Sequence, residues 1–273
     1  MVAAVNRNDP AALHLGAAVE HVKPEGDRAG LRFADGREVE ADLVIAADGI
    51  RSVVREQLFQ PTPPEFTGFV AWRGLVPTAG LEPELLDSVV SFGGGRLINR
   101  YLVRCGELIN FAAFARQPVW EAEGWTIPAS LDELMVQFAE FDEQTRAVLA
   151  RTPPDRLFRW GLFGRKPLDS WIRGNVVLLG DAAHPMLPFM GQGAAMSIED
   201  GIVLARALDA EQDIGAALAR YQAARLERVG YVTARSANQA RMYYGNPEHY
   251  DLTTDQTDKP TDLFSFDVTQ IRI

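Results

Sequence analysis

At two places in this chain an acid follows an apolar run and stands beside a glycine. Asp48-Gly49 closes ADLVIAADG, and Gly180-Asp181 closes GNVVLLGD. Apolar runs of this kind are expected to be strands buried on both faces of a parallel sheet, and ligands of open α/β sheets bind at the carboxyl ends of such strands. An aspartate there can accept hydrogen bonds from ligand hydroxyls, while the glycine lets the ligand approach the backbone. The commoner role of an isolated Asp is to cap a turn or a helix. Two acids at matched positions favour a ligand without deciding the matter. Arg51 and Arg55 fall in the first turns of the helix expected after Asp48-Gly49, where the helix dipole disfavours a cation. A phosphate or a structural carboxylate would compensate, and the carboxylate is the simpler expectation.

The segment after Asp181 adds more chemistry. Met186 to Gly193, MLPFMGQG, combines apolar bulk, the proline Pro188, and glycines on both sides of Gln192, as expected of a close-packed ligand loop. It leads into a helix near Gly193-Ala194, whose free N–H groups would favour negative charge on a ligand ring. An ordinary strand-to-helix loop would have similar composition. His184 is a candidate base, although a lone histidine is more often a satisfied structural residue. The four histidines, His14, His21, His184 and His249, have no metal-ligand spacing, and no metal is expected.

The elements that must position these residues follow from periodicity. Short strands are expected at Ala17–Val22, Arg28–Phe33, Arg37–Glu40 and Asp42–Ala46, with a turn at Asp35-Gly36. Ser52–Phe59 is expected to be helical, ended by Pro61, Pro63 and Pro64. Phe66 to Phe114 is rich in aromatic and β-branched residues, with turns at Gly93-Gly94-Gly95 and Cys105-Gly106-Glu107, and is expected to be an antiparallel sheet. A helix is predicted over Ser130–Ala150, stopped by Thr152-Pro153-Pro154. A buried strand at Asn175–Leu179 precedes a helix over Gly193–Leu208. A second helix is expected over Ile214–Met242, bent near Gly230, and the tail around Leu263-Phe264-Ser265-Phe266 is expected to dock. One domain is thus interrupted by another, with boundaries at 1–62, 63–154, 155–210 and 211–273.

Composition narrows the function. With 273 residues, 47% hydrophobic, the chain can bury a sizeable core. A formal net charge of -10 with no Lys/Arg block argues against nucleic-acid binding. Cys105 is the sole cysteine, which excludes an intrachain disulfide and fits a reducing cytoplasm. No secretory signal and no apolar run of spanning length is present, so a cytoplasmic protein without a membrane partner is expected.

ADLVIAADGIRSVVR (41–55) and GNVVLLGDAAHPMLPFMGQGAAMSIEDG (174–201) resemble the second and third FAD motifs of the class A flavoprotein aromatic hydroxylases, the group of salicylate, 3-hydroxybenzoate and para-hydroxybenzoate hydroxylases. FVAWRGLVP (69–77) and LFSFDV (263–268) are similar to the salicylate-hydroxylase-like branch, and the resemblance covers nearly the whole chain. It implies a mixed α/β fold, in which the C-terminal part of a Rossmann-like FAD-binding domain is interrupted by an antiparallel substrate domain and followed by C-terminal helices. It also implies that Asp181 binds the FAD ribityl chain with Gly180 allowing close approach, and that Asp48, Gly49 and Arg51 lie near the pyrophosphate and the NAD(P)H path. Pro185, Pro188, Gly191, Gln192, Gly193, Ala194 and Ala195 would lie at the isoalloxazine, with Gln192, His184 and Pro185 the catalytic candidates. The implied reaction is hydroxylation of a small aromatic substrate by O2 through a flavin C4a-hydroperoxide, with NAD(P)H as co-substrate. A homodimer is left open.

The sequence departs from the family at two points. The strand, GxGxxG loop and helix that hold the ADP half of FAD have no counterpart here, since Gly93-Gly94-Gly95 lies within the antiparallel insert. Ala195 stands where many relatives have Asn. The expectation is therefore the C-terminal two thirds of a hydroxylase. Two alternatives remain: a non-catalytic remnant binding an aromatic ligand or protein partner, and a subunit completed by a separate nucleotide-binding polypeptide.

Overall fold

A computed structural model describes residues 2–120, 124, 126–244, 263 and 266–273. After a short helix α1 (Val2–Asn8), the strands β1 (Val19–Glu25), β2 (Arg28–Phe33) and β3 (Glu38–Ala41) form a small antiparallel sheet. Its second turn is built on Gly36, whose φ of +85° requires the residue without a Cβ. β4 (Val44–Ala46) leaves that sheet and leads through Asp48 and Gly49 into α2 (Val53–Leu58). Ser52 caps α2, its side chain accepting the Arg55 N–H at 2.9 Å.

The antiparallel insert follows. β5 (Glu65–Pro77), β6 (Val89–Gly93), β7 (Arg96–Val103), β8 (Leu108–Arg116), β9 (Ile127–Pro128) and β10 (Leu157–Gly164) pair in the order β6-β7-β8-β5-β10-β9. The sheet thus reaches Gly164, past the boundary expected at 154, because β10 pairs with β5 from Leu157↔Gly74 to Gly164↔Glu65. Pairing of that kind joins residues roughly ninety positions apart and leaves no local signal. Alternation along β5 sends Val70, Trp72 and Val76 to one face and Phe69 and Ala71 to the other. The first face packs on α3 (Leu131–Gln137) and α4 (Glu143–Ala150) through Leu134, Phe138, Val148 and Leu149. These are two helices where the sequence predicts one. The Asp142 carboxylate accepts the Thr145 N–H at 2.8 Å and starts a new helix, while the buried Phe138 ends the old one and packs against Phe141.

β11 (Ile172–Arg173) and β12 (Val176–Leu178) form the third sheet with β4, in the order β11-β12-β4. Here β12 and β4 run parallel, in the register Val176↔Val44, Val177↔Ile45 and Leu178↔Ala46. Val176, Val177 and Leu178 are fully buried, as the unbroken apolar run predicts. Among the described residues only this pair is parallel. The strands before β4 make their own antiparallel sheet, with the expected turn at Asp35-Gly36 between β2 and β3. Two long helices cover the core, α5 (Gly193–Ala210) and the continuous 31-residue α6 (Ile214–Tyr244). The expected docking of the tail is seen at its described positions. Leu263 and Phe266 pack on the core around β12, and Arg206 donates to the carbonyls of Val268 and Ile271. Phe264 and Ser265 lie outside the described residues.

Candidate active site

The parallel register of β4 and β12 brings their carboxyl ends level, and the Leu179 N–H continues the ladder to the Ala46 carbonyl at 2.9 Å. Beyond Leu179 the chain turns at once. Gly180 adopts φ +61°, and its carbonyl accepts the N–H groups of Ala183 and His184, both at 2.9 Å, in a tight turn that carries Asp181 outward. A side chain at position 180 would collide with the next layer, since a Cβ there would lie 2.6 Å from Ser197 Oγ. Glycine is therefore required by both backbone conformation and space.

Asp181 lines a cavity of about 380 Å³ between this turn and the sheet. Ile50, Arg51, Pro185, Leu187 and Pro188 also face it, and the opposite wall is Trp160, Gly161, Leu162 and Phe163 of β10. The Asp181 carboxylate has no hydrogen-bond partner among the described residues. Burial raises its pKa, and the nearby His184 acts in the opposite direction. Behind the cavity, Phe69, Phe114, Trp160 and Tyr244 form a buried aromatic group with Leu97 and Leu162, and Phe189 joins it from the loop after Asp181. Its ring centroid lies 5.2 Å from Phe114, 5.7 Å from Tyr244 and 5.9 Å from Phe69.

The candidates named from sequence separate into groups. Asp181, Arg51, Pro185 and Pro188 meet at the cavity. Asp48 does not: it is exposed, and its carboxylate takes the Val54 N–H at 3.4 Å, the capping role that the sequence left open. Gly49 adopts φ +79° in the turn that follows. Gly191 is left-handed at φ +64°, with open space where a Cβ would stand. Gln192 is buried at the start of α5 and reaches the Met190 carbonyl at 3.4 Å, without bonding a helix N–H. The N–H groups of Gly193, Ala194 and Ala195 in the first turn have no intrahelical acceptor, as at any helix start. His184 is buried away from the cavity, with Nε2 2.6 Å from Asp200 Oδ2 and its ring 5.1 Å from that of Trp171.

Where the sequence suggested a carboxylate, the partners of Arg55 among the described residues are main-chain carbonyls and one side-chain amide. Arg51 lies over the Phe163 ring at 5.5 Å. Arg55 is fully buried and donates to the carbonyls of Ala182 (3.1 Å), Ala183 (2.8 Å) and Lys166, and to the Gln60 side chain. Burial, together with the neighbouring Arg165, pushes its pKa down to about 10, so it remains a cation at neutral pH. Arg165 in turn donates to the Ile50 carbonyl at 2.9 Å and to that of Thr62. Arg55 thus fastens α2 to the turn after β12, and Arg165 fastens the segment after β10 to the loop after β4. Sequence reasoning missed β10 as a cavity wall. Its one local signal is the alternation of large residues in LFRWGLFG.

The family described as FAD binding domain matches residues 3–236 of this chain. Aurachin C monooxygenase/isomerase of Stigmatella aurantiaca is 38% identical over 225 residues, covering 82% of this chain and 57% of that protein. Salicylate hydroxylase of Pseudomonas putida is 34% identical over 224 residues, or 74% of this chain and 51% of the relative. The crystal structure of Klebsiella pneumoniae HpxO complexed with FAD and uric acid aligns with a TM-score of 0.80 at 27% identity, covering 89% of this chain and 62% of that one. The chain spans little more than half the length of these curated relatives. It belongs to the FAD binding domain family, and the kinship with flavin hydroxylases implied by its two glycine–acid motifs is borne out.

Proposed function

We propose that this chain forms the substrate-facing part of an FAD- and NAD(P)H-dependent monooxygenase that hydroxylates a small aromatic ring with O2. The observation that carries the reading is the cavity between the Asp181 turn and the aromatic face of the sheet. The residues present fit the cofactor: a half-buried carboxylate without a hydrogen-bond partner among the described residues suits the hydroxyls of a ribityl chain, and Gly180 leaves the backbone open beside it. The free N–H groups of Gly193, Ala194 and Ala195 suit an electron-rich ring. When bound, FAD would take hydride from NAD(P)H and activate O2 for insertion into the substrate ring.

The chain's own residues have separable tasks in this reading. Asp181 accepts hydrogen bonds from the cofactor. Pro185 and Pro188 give the cavity rim a fixed backbone, and Arg51, held against Phe163, supplies the positive charge at its mouth. Trp160, Leu162 and Phe163 exclude water and offer flat apolar surface to an aromatic substrate. His184 and Gln192 act as positioning residues for the turn and for the start of α5. Asp48 and Gly49 shape the loop that carries Ile50 and Arg51. The net charge of -10 supports a protein without a nucleic-acid partner, and the single cysteine supports a cytoplasmic one. Among the described residues no helix is long and apolar enough to cross a membrane. Light scattering tests for a homodimer.

The decisive experiment is to add FAD to the purified chain, remove free FAD by gel filtration, and record the absorption spectrum. Retained flavin bands, followed by NAD(P)H consumption stimulated by one member of a panel of hydroxylated aromatics, are the expected result. A folded protein by circular dichroism that retains no flavin would overturn this chain's part in the reading.

A further inference from the structure

Asp200, one helix away from the cavity, is fully buried, and three groups converge on its carboxylate. The Gly180 N–H donates to Oδ2 at 3.0 Å, His184 Nε2 stands 2.6 Å from the same oxygen, and Arg225 Nε donates to Oδ1 at 2.7 Å. Burial works against ionisation of this carboxyl, but the bonds and charges of His184 and Arg225 outweigh it and hold its pKa below the usual carboxylate value. An ionised oxygen 2.6 Å from Nε2 requires the proton on that nitrogen, so all three partners are donors. Arg225 is itself braced: Nη1 donates to Glu199 at 2.7 Å, and Glu199 also accepts two bonds of 2.7 Å from Arg228, whose guanidinium lies 3.6 Å from the Phe266 ring centroid.

Gly180 and His184 are the two ends of the turn that presents Asp181. Asp200 holds both with one oxygen. Within the reading of the cavity as a flavin site, we infer that Asp200 is the positioning residue for Asp181. It fixes the turn from α5, so that the Asp181 carboxylate stays extended into the cavity although none of the described residues bonds it there. An Asn cannot replace it silently. Its amide presents one acceptor and one donor group, so either the Gly180 and His184 side or the Arg225 side meets N–H against N–H.

The test compares wild type, Asp200→Asn, Asp181→Ala and the double variant in two measurements. The first, amide hydrogen exchange over residues 180–184 of the flavin-free protein, should speed up about tenfold in Asp200→Asn, the equivalent of one lost charged hydrogen bond, with the core strand β12 remaining protected. The second is the Kd for FAD from fluorescence quenching. Asp200→Asn should weaken binding about tenfold, and the double variant should bind no worse than Asp181→Ala alone, because the effect of Asp200 runs through Asp181. Additive losses in Kd would reassign Asp200 to general stability, and unchanged exchange would remove the clamp. A wild type that does not bind FAD would defeat the reading of the cavity, and exchange would still decide whether Asp200 holds the turn.

Discussion

Gly180→Ala is the substitution whose cost follows most directly from geometry. At φ +61° an alanine would adopt the left-handed conformation at a cost of about 1–2 kcal/mol. Its Cβ would also stand 2.6 Å from Ser197 Oγ and 3.2 Å from Ser197 Cβ, and Ser197 is not free to leave, since its hydroxyl donates to the Gly193 carbonyl at 3.1 Å. Forcing that side chain from its rotamer adds about 1 kcal/mol. The smaller entropy of the unfolded alanine chain offsets roughly 0.5 kcal/mol. The sum is a destabilisation of about 2 kcal/mol, read as a lower urea midpoint at unchanged slope. In a Ser197→Ala background the hydroxyl is absent, and the same substitution should cost about 1 kcal/mol, leaving mostly the backbone term. A cost for Gly180→Ala below roughly 0.5 kcal/mol, or the same cost in both backgrounds, would refute the argument that the turn is locked against α5.

Two further predictions concern acids. Burial raises the Asp181 pKa, so the folded state binds its proton more tightly than the unfolded state, and stability falls as pH rises from 3.8 through the raised folded value. Asp181→Asn should therefore melt higher than wild type at neutral pH, with the difference vanishing below pH 3.8; a melting curve unchanged at neutral pH would contradict this. Asp142 has the opposite sign: burial opposes its charge, but the hydrogen bonds from Thr145 win and lower its pKa, so its cap contributes above pH 3.8 and is lost as pH falls through the lower folded value. Asp142→Ala should cost about 1 kcal/mol at neutral pH by chemical denaturation, and a loss no smaller at strongly acidic pH would point to something other than the cap.

The positions of the two strand ends were legible because they depend on short-range pattern. A run such as Val176-Val177-Leu178 has only one kind of place to go, and glycine followed by an acid marks where it stops. The docking of the tail was legible for the same reason, an apolar cluster at Leu263, Phe264 and Phe266 that follows a polar segment. The split at Asp142 was obscured because Leu131, Leu134, Met135 and Phe138 keep helical spacing up to the break, and the cap that restarts the chain is a single residue. What the sequence could not supply was partnership over distance. Nothing near His184 announces Asp200 on the next helix, or Arg225 on the one after. Likewise nothing near Arg55 announces the carbonyls 127 and 128 positions away. Such pairs exist only once the helices have packed, which is why His184 stood in the sequence as a candidate base beside the commoner structural role, with no partner to name for either.

The grip of Arg55 has a consequence for how this protein can vary. Because the guanidinium holds main-chain oxygens of Ala182, Ala183 and Lys166, it is indifferent to which side chains those positions carry. A latch made to a carboxylate would tie two positions together, so that neither could change without the other. Here the dependence runs in one direction: position 55 must remain arginine, while the residues it fastens are free to differ wherever space allows. The side chains at positions 166, 182 and 183 can thus be altered one at a time without loosening the turn that carries Asp181, so the packing behind the turn and the fastening of its frame can change independently.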